Sequence, residues 1–330
     1  MDDAPVKVLF IMGWGRSGST LLDNILGEVE GFRSLGELHY LWRRGFIKNH
    51  LCGCRRPVDQ CELWSRVLDT PFHGGKLRDL DPKEVDRWQH EAARMRYFRR
   101  LLEMEPGRPT RWPELDSYVE ALGAVLRGVA AVDHARVIVD SSKRPSDGAV
   151  LRLVPDLDVY YLHLVRDPRA TAYSWRRVKV GPHQSLRQLG PAVYSTLRWM
   201  NRNAAAEKLA RRVDRGRTMF LRYEDFVAQP ARNLERILRH LGEERGHLPF
   251  LDERTVSLGV NHTVSGNQRR FKTGPIEIKH DDAWMAEQSR TDRSLATAIA
   301  LPRLLRYGYP LRPKPPQPNA KTPPTKTRTP

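Results

Sequence analysis

Near its start the 330-residue chain carries Gly13-Trp14-Gly15-Arg16-Ser17-Gly18-Ser19-Thr20, residue types and an order suited to holding an anion. An apolar run, Val6 to Met12, precedes the segment, and Leu21, Leu22, Ile25, Leu26 and Val29 follow at helical spacing. A glycine turn between strand and helix lets backbone N–H groups face inward around a phosphate, and the helix N-terminus adds partial positive charge. Gly15, Arg16, Ser17, Gly18, Ser19 and Thr20 are therefore candidate anion ligands. Against the nucleotide pattern GxxxxGK[ST] one position fails: Ser19 stands where the lysine belongs, and the nearby cation is Arg16, three residues earlier. That lysine serves the terminal phosphates of ATP, so its absence argues against ATP hydrolysis or kinase chemistry. The segment has a second reading, a glycine turn capping a helix through Ser17 or Ser19.

The rest of the chain must supply elements around this turn. Arg136–Val139 and Val159–Val165 read as buried strands, and Thr218–Arg222 as another. Helical patterns fall at about Pro82–Met104, Glu114–Ala131, Ser185–Val213 and Ala231–Leu241. Strands alternating with helices argue for a parallel sheet covered on both faces, with ligands beyond the carboxyl ends of its strands.

Within that frame Arg16-Ser17-Gly18-Ser19-Thr20 resembles the 5′-phosphosulfate loop of sulfotransferases that use 3′-phosphoadenosine-5′-phosphosulfate (PAPS), in the arginine form of the carbohydrate and protein-tyrosine branches. The resemblance implies a bacterial-type member with a P-loop NTPase-like three-layer α/β fold and PAPS as sulfuryl donor. It continues at Arg166-Asp167-Pro168, where an Arg ending a strand and a Ser eight residues later, Ser174, have the spacing of the family's 3′-phosphate motif. Pro168 suits a first helical turn, and an arginine fork suits phosphate; the alternative for Arg166 is an ion pair with Asp167 or another acid. Leu221-Arg222-Tyr223-Glu224-Asp225 resembles the family's strand end whose Tyr meets the adenine side, a role Tyr223 would inherit. His262 to Arg270 resembles the C-terminal cofactor loop, with Ser265, Asn267, Arg269 and Arg270 as candidate contacts. The resemblance runs from Val6 to about Trp284 and is weak from Asn49 to Ala131, where acceptor specificity is expected.

Sulfuryl transfer requires a proton acceptor for the incoming hydroxyl and positive charge for the leaving phosphate. The resemblance points to Glu37, in Ser34-Leu35-Gly36-Glu37-Leu38, as general base, with His39 as runner-up. A helix-opening acid is the plainer reading of Glu37. Arg16 and Lys143, the latter in Asp140-Ser141-Ser142-Lys143, are the candidates for charge stabilisation. Lys143 has an alternative as a solvated residue beside two helix-capping serines. A sulfuryl group carries less charge than a phosphoryl group, so no metal is assigned to the reaction.

The net charge is +17, from 56 Lys and Arg against 39 Asp and Glu. The last twenty residues, Leu311 to Pro330, hold five of the basic residues, seven prolines and no acid, and read as a disordered tail beyond one domain spanning 1–310. Within that domain, about 45–131 reads as an acceptor-side insertion. No nucleic-acid motif accompanies the charge, so no nucleic-acid partner is expected, although the tail could touch a membrane surface. The enzyme alternative is an atypical phosphotransferase; the non-enzyme alternative is a basic nucleic-acid or membrane binder. The acceptor class expected is a carbohydrate, glycolipid or other small metabolite. Without a signal-like start or an apolar run of spanning length, the expected compartment is the cytoplasm. Cys52, Cys54 and Cys61 are the only cysteines. Their spacing is irregular for a zinc site completed by His50 or for a redox pair, and they are read as loop packing.

Overall fold

A computed structural model describes residues 5–177, 190–243 and 248–313. In chain order the elements are β1 (Val6–Gly13), α1 (Ser19–Leu26), β2 (Phe32–Gly36), α2 (Glu62–Leu68), the short pair β3 (Pro71–Phe72) and β4 (Gly75–Lys76), α3 (Pro82–Ala92), α4 (Phe98–Glu103) and α5 (Pro113–Asp133). There follow β5 (Val137–Lys143), α6 (Pro145–Leu151), β6 (Leu157–Val165), α7 (Pro168–Arg176), α8 (Pro191–Ala210), β7 (Thr218–Arg222), α9 (Tyr223–Ala228) and α10 (Pro230–His240). The last are β8 (Thr255–Leu258), β9 (Gly274–Glu277), α11 (Ala283–Glu287) and α12 (Arg290–Arg306). Residues 185–189 of the expected long helix and the tail beyond 313 lie outside the described residues.

Five strands form a parallel sheet in the order β2-β5-β1-β6-β7. The apolar run of β1 explains its central place. Successive strand side chains point to opposite faces. Val8, Phe10 and Met12 pack into one core with α5, α6 and the later part of α8, while Leu9 and Ile11 pack into the other with α1 and α10. A strand buried on both faces requires such a continuous apolar sequence. The result is the three-layer α/β architecture that the alternation of elements predicted.

By backbone contacts the chain divides into two compact units, Met1–Arg166 with Leu197–His280, and Asp167–Thr196 with Asp281–Pro330. The first holds the sheet. In the second, α7 packs against α11 and α12, with Ala170 and Tyr173 against Trp284 and Ala172 against Ala192 and Ala296. Its buried Arg169 donates to the Asp167 carboxylate at 2.6 and 2.9 Å and to the carbonyls of Pro310 and Leu311.

Two expectations change in detail. The helical pattern at Pro82–Met104 is broken between α3 and α4, with Arg94 extended. α3 packs on α5 while α4 packs on α6, and one straight helix could not serve both. β5 continues through Asp140-Ser141-Ser142 to Lys143, past the expected end at Val139, because these polar side chains find partners at the strand's carboxyl end. Among the described residues no helix is long and apolar enough to cross a membrane.

Beneath the sheet's carboxyl edge lie two buried carboxyls, Asp23 of α1 and Asp140 of β5. Burial pushes each up to about 7, against the pull of hydrogen bonds from Ser34 on Asp23 and from Ser142 on Asp140. A carboxyl whose folded pKa exceeds its unfolded value of 3.8 contributes stability below that value and loses it as pH rises towards 7. Asp23→Asn keeps an acceptor for Ser34 Oγ, which donates to Asp23 at 2.6 Å, and removes this dependence. Relative to the parent, its melting temperature should rise by roughly 5 °C between pH 5 and pH 8. Thermal unfolding at the two pH values measures this, and a pH-independent difference would contradict it.

Candidate functional site

The turn between β1 and α1 adopts the conformation its glycines permit. Gly18 has φ +83°, and a Cβ there would lie 2.3 Å from the Tyr223 ring, so the residue must be glycine. α1 begins at Ser19 without a side-chain cap, which sets aside the capping reading of Ser17 and Ser19. Its first N–H groups have no partners within the helix. Ser17 is buried, and its Oγ makes no hydrogen bond among the described residues. Arg16 has φ +70°, a left-handed conformation uncommon outside glycine.

Arg166, at the end of β6, reaches this turn. Only 6% exposed, it donates to the Arg16 carbonyl at 3.2 Å. Its guanidinium lies 4.7 Å from the centre of the Tyr223 ring. Tyr223 is buried at the start of α9, directly after β7. The neighbouring strands β1, β6 and β7 thus bring the glycine turn, a buried cation and an aromatic ring into one cluster. Ser174 lies on α7, half-buried, in the second unit.

The other half of the site lies at the ends of β2 and β5. Lys143 Nζ donates to Glu37 Oε1 at 2.7 Å and to the Ser141 carbonyl at 2.8 Å. Both charged side chains are largely shielded, with 14% and 18% exposure. The solvated alternative for Lys143 does not hold: the side chain is shielded, and the serines before it cap no helix, since α6 starts at Pro145 without a side-chain cap. Asp140 instead organises the turn that presents Glu37. It accepts from Ser142 N and Oγ, and Ser142 Oγ accepts from His39 N at 2.9 Å. Lys143 has φ +68°, so both cations proposed to steady negative charge sit on left-handed backbone.

His39 hydrogen-bonds through Nε2 and has a carboxylate near Nδ1 that is out of line for a hydrogen bond. Nε2 lies 2.8 Å from the Arg144 guanidinium and Nδ1 3.0 Å from Asp147 Oδ2. Burial alone would raise the Asp147 carboxyl, but His39 and Arg144 beside it hold it below the ordinary range.

The segment from His262 to Arg270 joins the halves. Val264 N donates to the Leu35 carbonyl and Glu37 N to the Ser265 carbonyl at 2.9 Å, pairing the segment with the end of β2. Gly36 has φ +70° and a Cβ there would meet the Ser265 carbonyl oxygen at 2.5 Å, so this approach needs a glycine. Asn267 N lies 3.4 Å from Thr20 Oγ1, next to the glycine turn. Asn267 caps the following short helix through Arg269 N, and the Arg269 side chain is exposed. Arg270 is buried, and its guanidinium donates to the carbonyls of Thr263 and Leu51. That makes it a brace of the segment rather than a free phosphate ligand.

Arg44 was not singled out by motif. It lies in a π-helical stretch, Leu41–Ile47, donates to Ser265 Oγ at 3.0 Å and stacks on Tyr40. The stretch carries no local sequence mark, and the contact depends on a partner far along the chain.

Residues 9–246 match a family model described as the Sulfotransferase family. Among curated proteins no relative matches. Two solved structures share the fold. One is the sulfotransferase domain from the curacin biosynthetic pathway, at 19% identity and a TM-score of 0.53, covering 93% of this chain and 99% of that one. The other is the sulfotransferase domain of the Synechococcus PCC 7002 olefin synthase, at 22% identity and a TM-score of 0.50, covering 90% and 95% respectively. With the family match extending over most of the sheet and the whole of the loop between β1 and α1, the chain belongs to the sulfotransferase family.

Proposed function

We propose that the chain moves a sulfuryl group from PAPS to an acceptor hydroxyl, with Glu37 as general base. The observation that carries this reading is the meeting of the buried Arg166 guanidinium, the glycine turn and the Tyr223 ring. A desolvated cation beside a glycine turn that opens a helix suits a nucleotide carrying separate phosphate groups. The buried Ser17 Oγ, without a hydrogen bond among the described residues, fits the same assignment. The turn from Arg16 to Thr20 would hold the 5′-phosphosulfate, Arg166 the 3′-phosphate and Tyr223 the adenine side. PAPS, when bound, supplies the sulfuryl group together with a phosphate leaving group.

The protein's own groups do the remaining work. Glu37 Oε1 is held by Lys143, which leaves Oε2 to take the proton of the acceptor hydroxyl. Lys143 and Arg16 hold positive charge for the oxygen on which negative charge grows, and fixed charges of this kind need no reorganisation during the reaction. The helical insertion after β2 is the proposed side for the acceptor, a carbohydrate, glycolipid or other small hydroxyl metabolite. Labelled sulfate transferred from PAPS into a cell extract would identify it.

Glu37→Gln should lower transfer by about 10²- to 10⁴-fold while leaving the affinity for adenosine 3′,5′-bisphosphate unchanged. Full turnover in this variant, with loss in His39→Ala, would reassign the base. Arg166→Ala should weaken bisphosphate binding about 10- to 100-fold, the usual value of a charged hydrogen bond, as read by calorimetry. In a thermal-shift comparison the bisphosphate should stabilise the parent and Mg-ATP should not; stabilisation by Mg-ATP alone would overturn the reading.

A further inference from the structure

The three cysteines, read from the sequence as loop packing, meet a distant histidine in the fold. Cys52, Cys54, Cys61 and His262 each present a ligand atom, and all four atoms lie within 4.8 Å of one another. Cys52 and Cys61 are fully buried, and Cys54 and His262 are half-buried. Cys61 Sγ lies 3.1 Å from His262 Nδ1, which makes Nδ1 the nitrogen facing the sulfurs. His50, nearer in sequence, has an exposed side chain and is not part of the group. We propose that Cys52, Cys54, Cys61 and His262 bind one structural zinc ion.

Three observations favour a metal over packed thiols. The first is the donor set. Three sulfurs and one imidazole nitrogen form a closed Cys3His site, and tetrahedral zinc with Zn–S of about 2.3 Å places its sulfurs roughly 3.8 Å apart, inside the 4.8 Å that bounds all four ligand atoms here. The second is the surrounding backbone. The N–H of Gly53, between two of the cysteines, donates to the carbonyl of Thr263, next to His262. Trp64 Nε1 also donates to the His262 carbonyl, fixing the backbone of the histidine ligand. The third is charge. Arg270 is 7% exposed, and its hydrogen bonds run to neutral carbonyls, one of them Leu51 O beside Cys52. Three thiolates and one Zn²⁺ carry a net charge of −1, a counter-charge for this buried guanidinium.

The metal would close a long-range connection. Cys52 and Cys54 sit on a loop pinned by the Leu51–Pro57 bridge, Cys61 caps α2, and His262 is 201 residues further along. Gly53 N donates to the Thr263 carbonyl at 2.9 Å, so loop and segment already touch beside the ligands. His262 opens the segment that pairs with β2 at Glu37. Binding releases the three thiol protons, and its free energy adds to folding.

Metal analysis of the full chain, purified from zinc-supplemented medium without chelator, should find about one zinc per chain. Cobalt exchange should give the visible absorption of a tetrahedral thiolate site. Cys54→Ser and His262→Ala should each lose most of the zinc and melt several degrees lower. His262→Cys should restore the zinc, and His50→Ala should retain it in full. If a variant does not fold, thiol titration of the native parent decides: zinc protects the three thiols until a chelator removes it. Less than about 0.1 zinc per chain with titratable thiols, a disulfide, iron in place of zinc, or full zinc in His262→Ala would each overturn the proposal. The readout is metal content and stability, so its outcome is independent of whether PAPS is the donor.

Discussion

The candidate site depends on how the free edge of β2 is closed. β2 is the outermost strand of the sheet on its side, and such an edge exposes unpaired N–H and C=O groups. Val264 and Ser265 pair with its last residues through Leu35 and Glu37. This pairing fixes the backbone of Glu37 at the point where the strand would otherwise fray. It also places Ser265 within reach of Arg44 and brings Asn267 beside Thr20. The acid, the segment over it and the glycine turn are thus set by one short stretch of ladder, and Lys143 reaches Glu37 from β5, the strand beside β2.

The basic excess acquires a structural meaning. Several arginines are bonded to carbonyls rather than to acids. Arg152 donates to the carbonyls of Leu101, Leu102 and Met104, Arg254 to those of Ile278 and Val227, and Arg270 to those of Thr263 and Leu51. A guanidinium has five N–H donors in a fixed fork and can tie together chain segments that lack regular pairing. Each such use adds a positive charge with no acid to match it. Three charges that a composition count would aim at an external anion are thus internal scaffolding.

The parts that were legible in sequence share a cause: their signal is local. The apolar run of β1, the glycine turn and the strand ending in Arg166 each lie within one element and its flanking turn. The polar end of β5 was harder, because Asp140, Ser141 and Ser142 look like a loop until their partners on neighbouring segments are known. Arg44, Arg270 and His262 were the least legible. Arg44 meets Ser265, and Cys61 meets His262, across about 200 residues of chain or more. His50 is the near-sequence histidine, and only the return of the chain along β2 substitutes His262 for it. For the same reason the break between α3 and α4 escapes periodicity, since the two helices face different partners.

The left-handed backbone at Arg16 and Lys143 has a consequence for any attempt to make this protein hardier. Each such residue costs about 1–3 kcal/mol, comparable with what burying one large apolar side chain of β1 contributes. Glycine or asparagine would relieve that strain, and neither carries a charge. At Arg16, on the role proposed for it, a selection for thermal robustness alone would drift towards a neutral residue and erode turnover; at Lys143 the shielded ion pair with Glu37 opposes that drift, since losing the lysine strands the carboxylate. On that proposed reading, resistance to heat and turnover are opposed at Arg16 and aligned at Lys143.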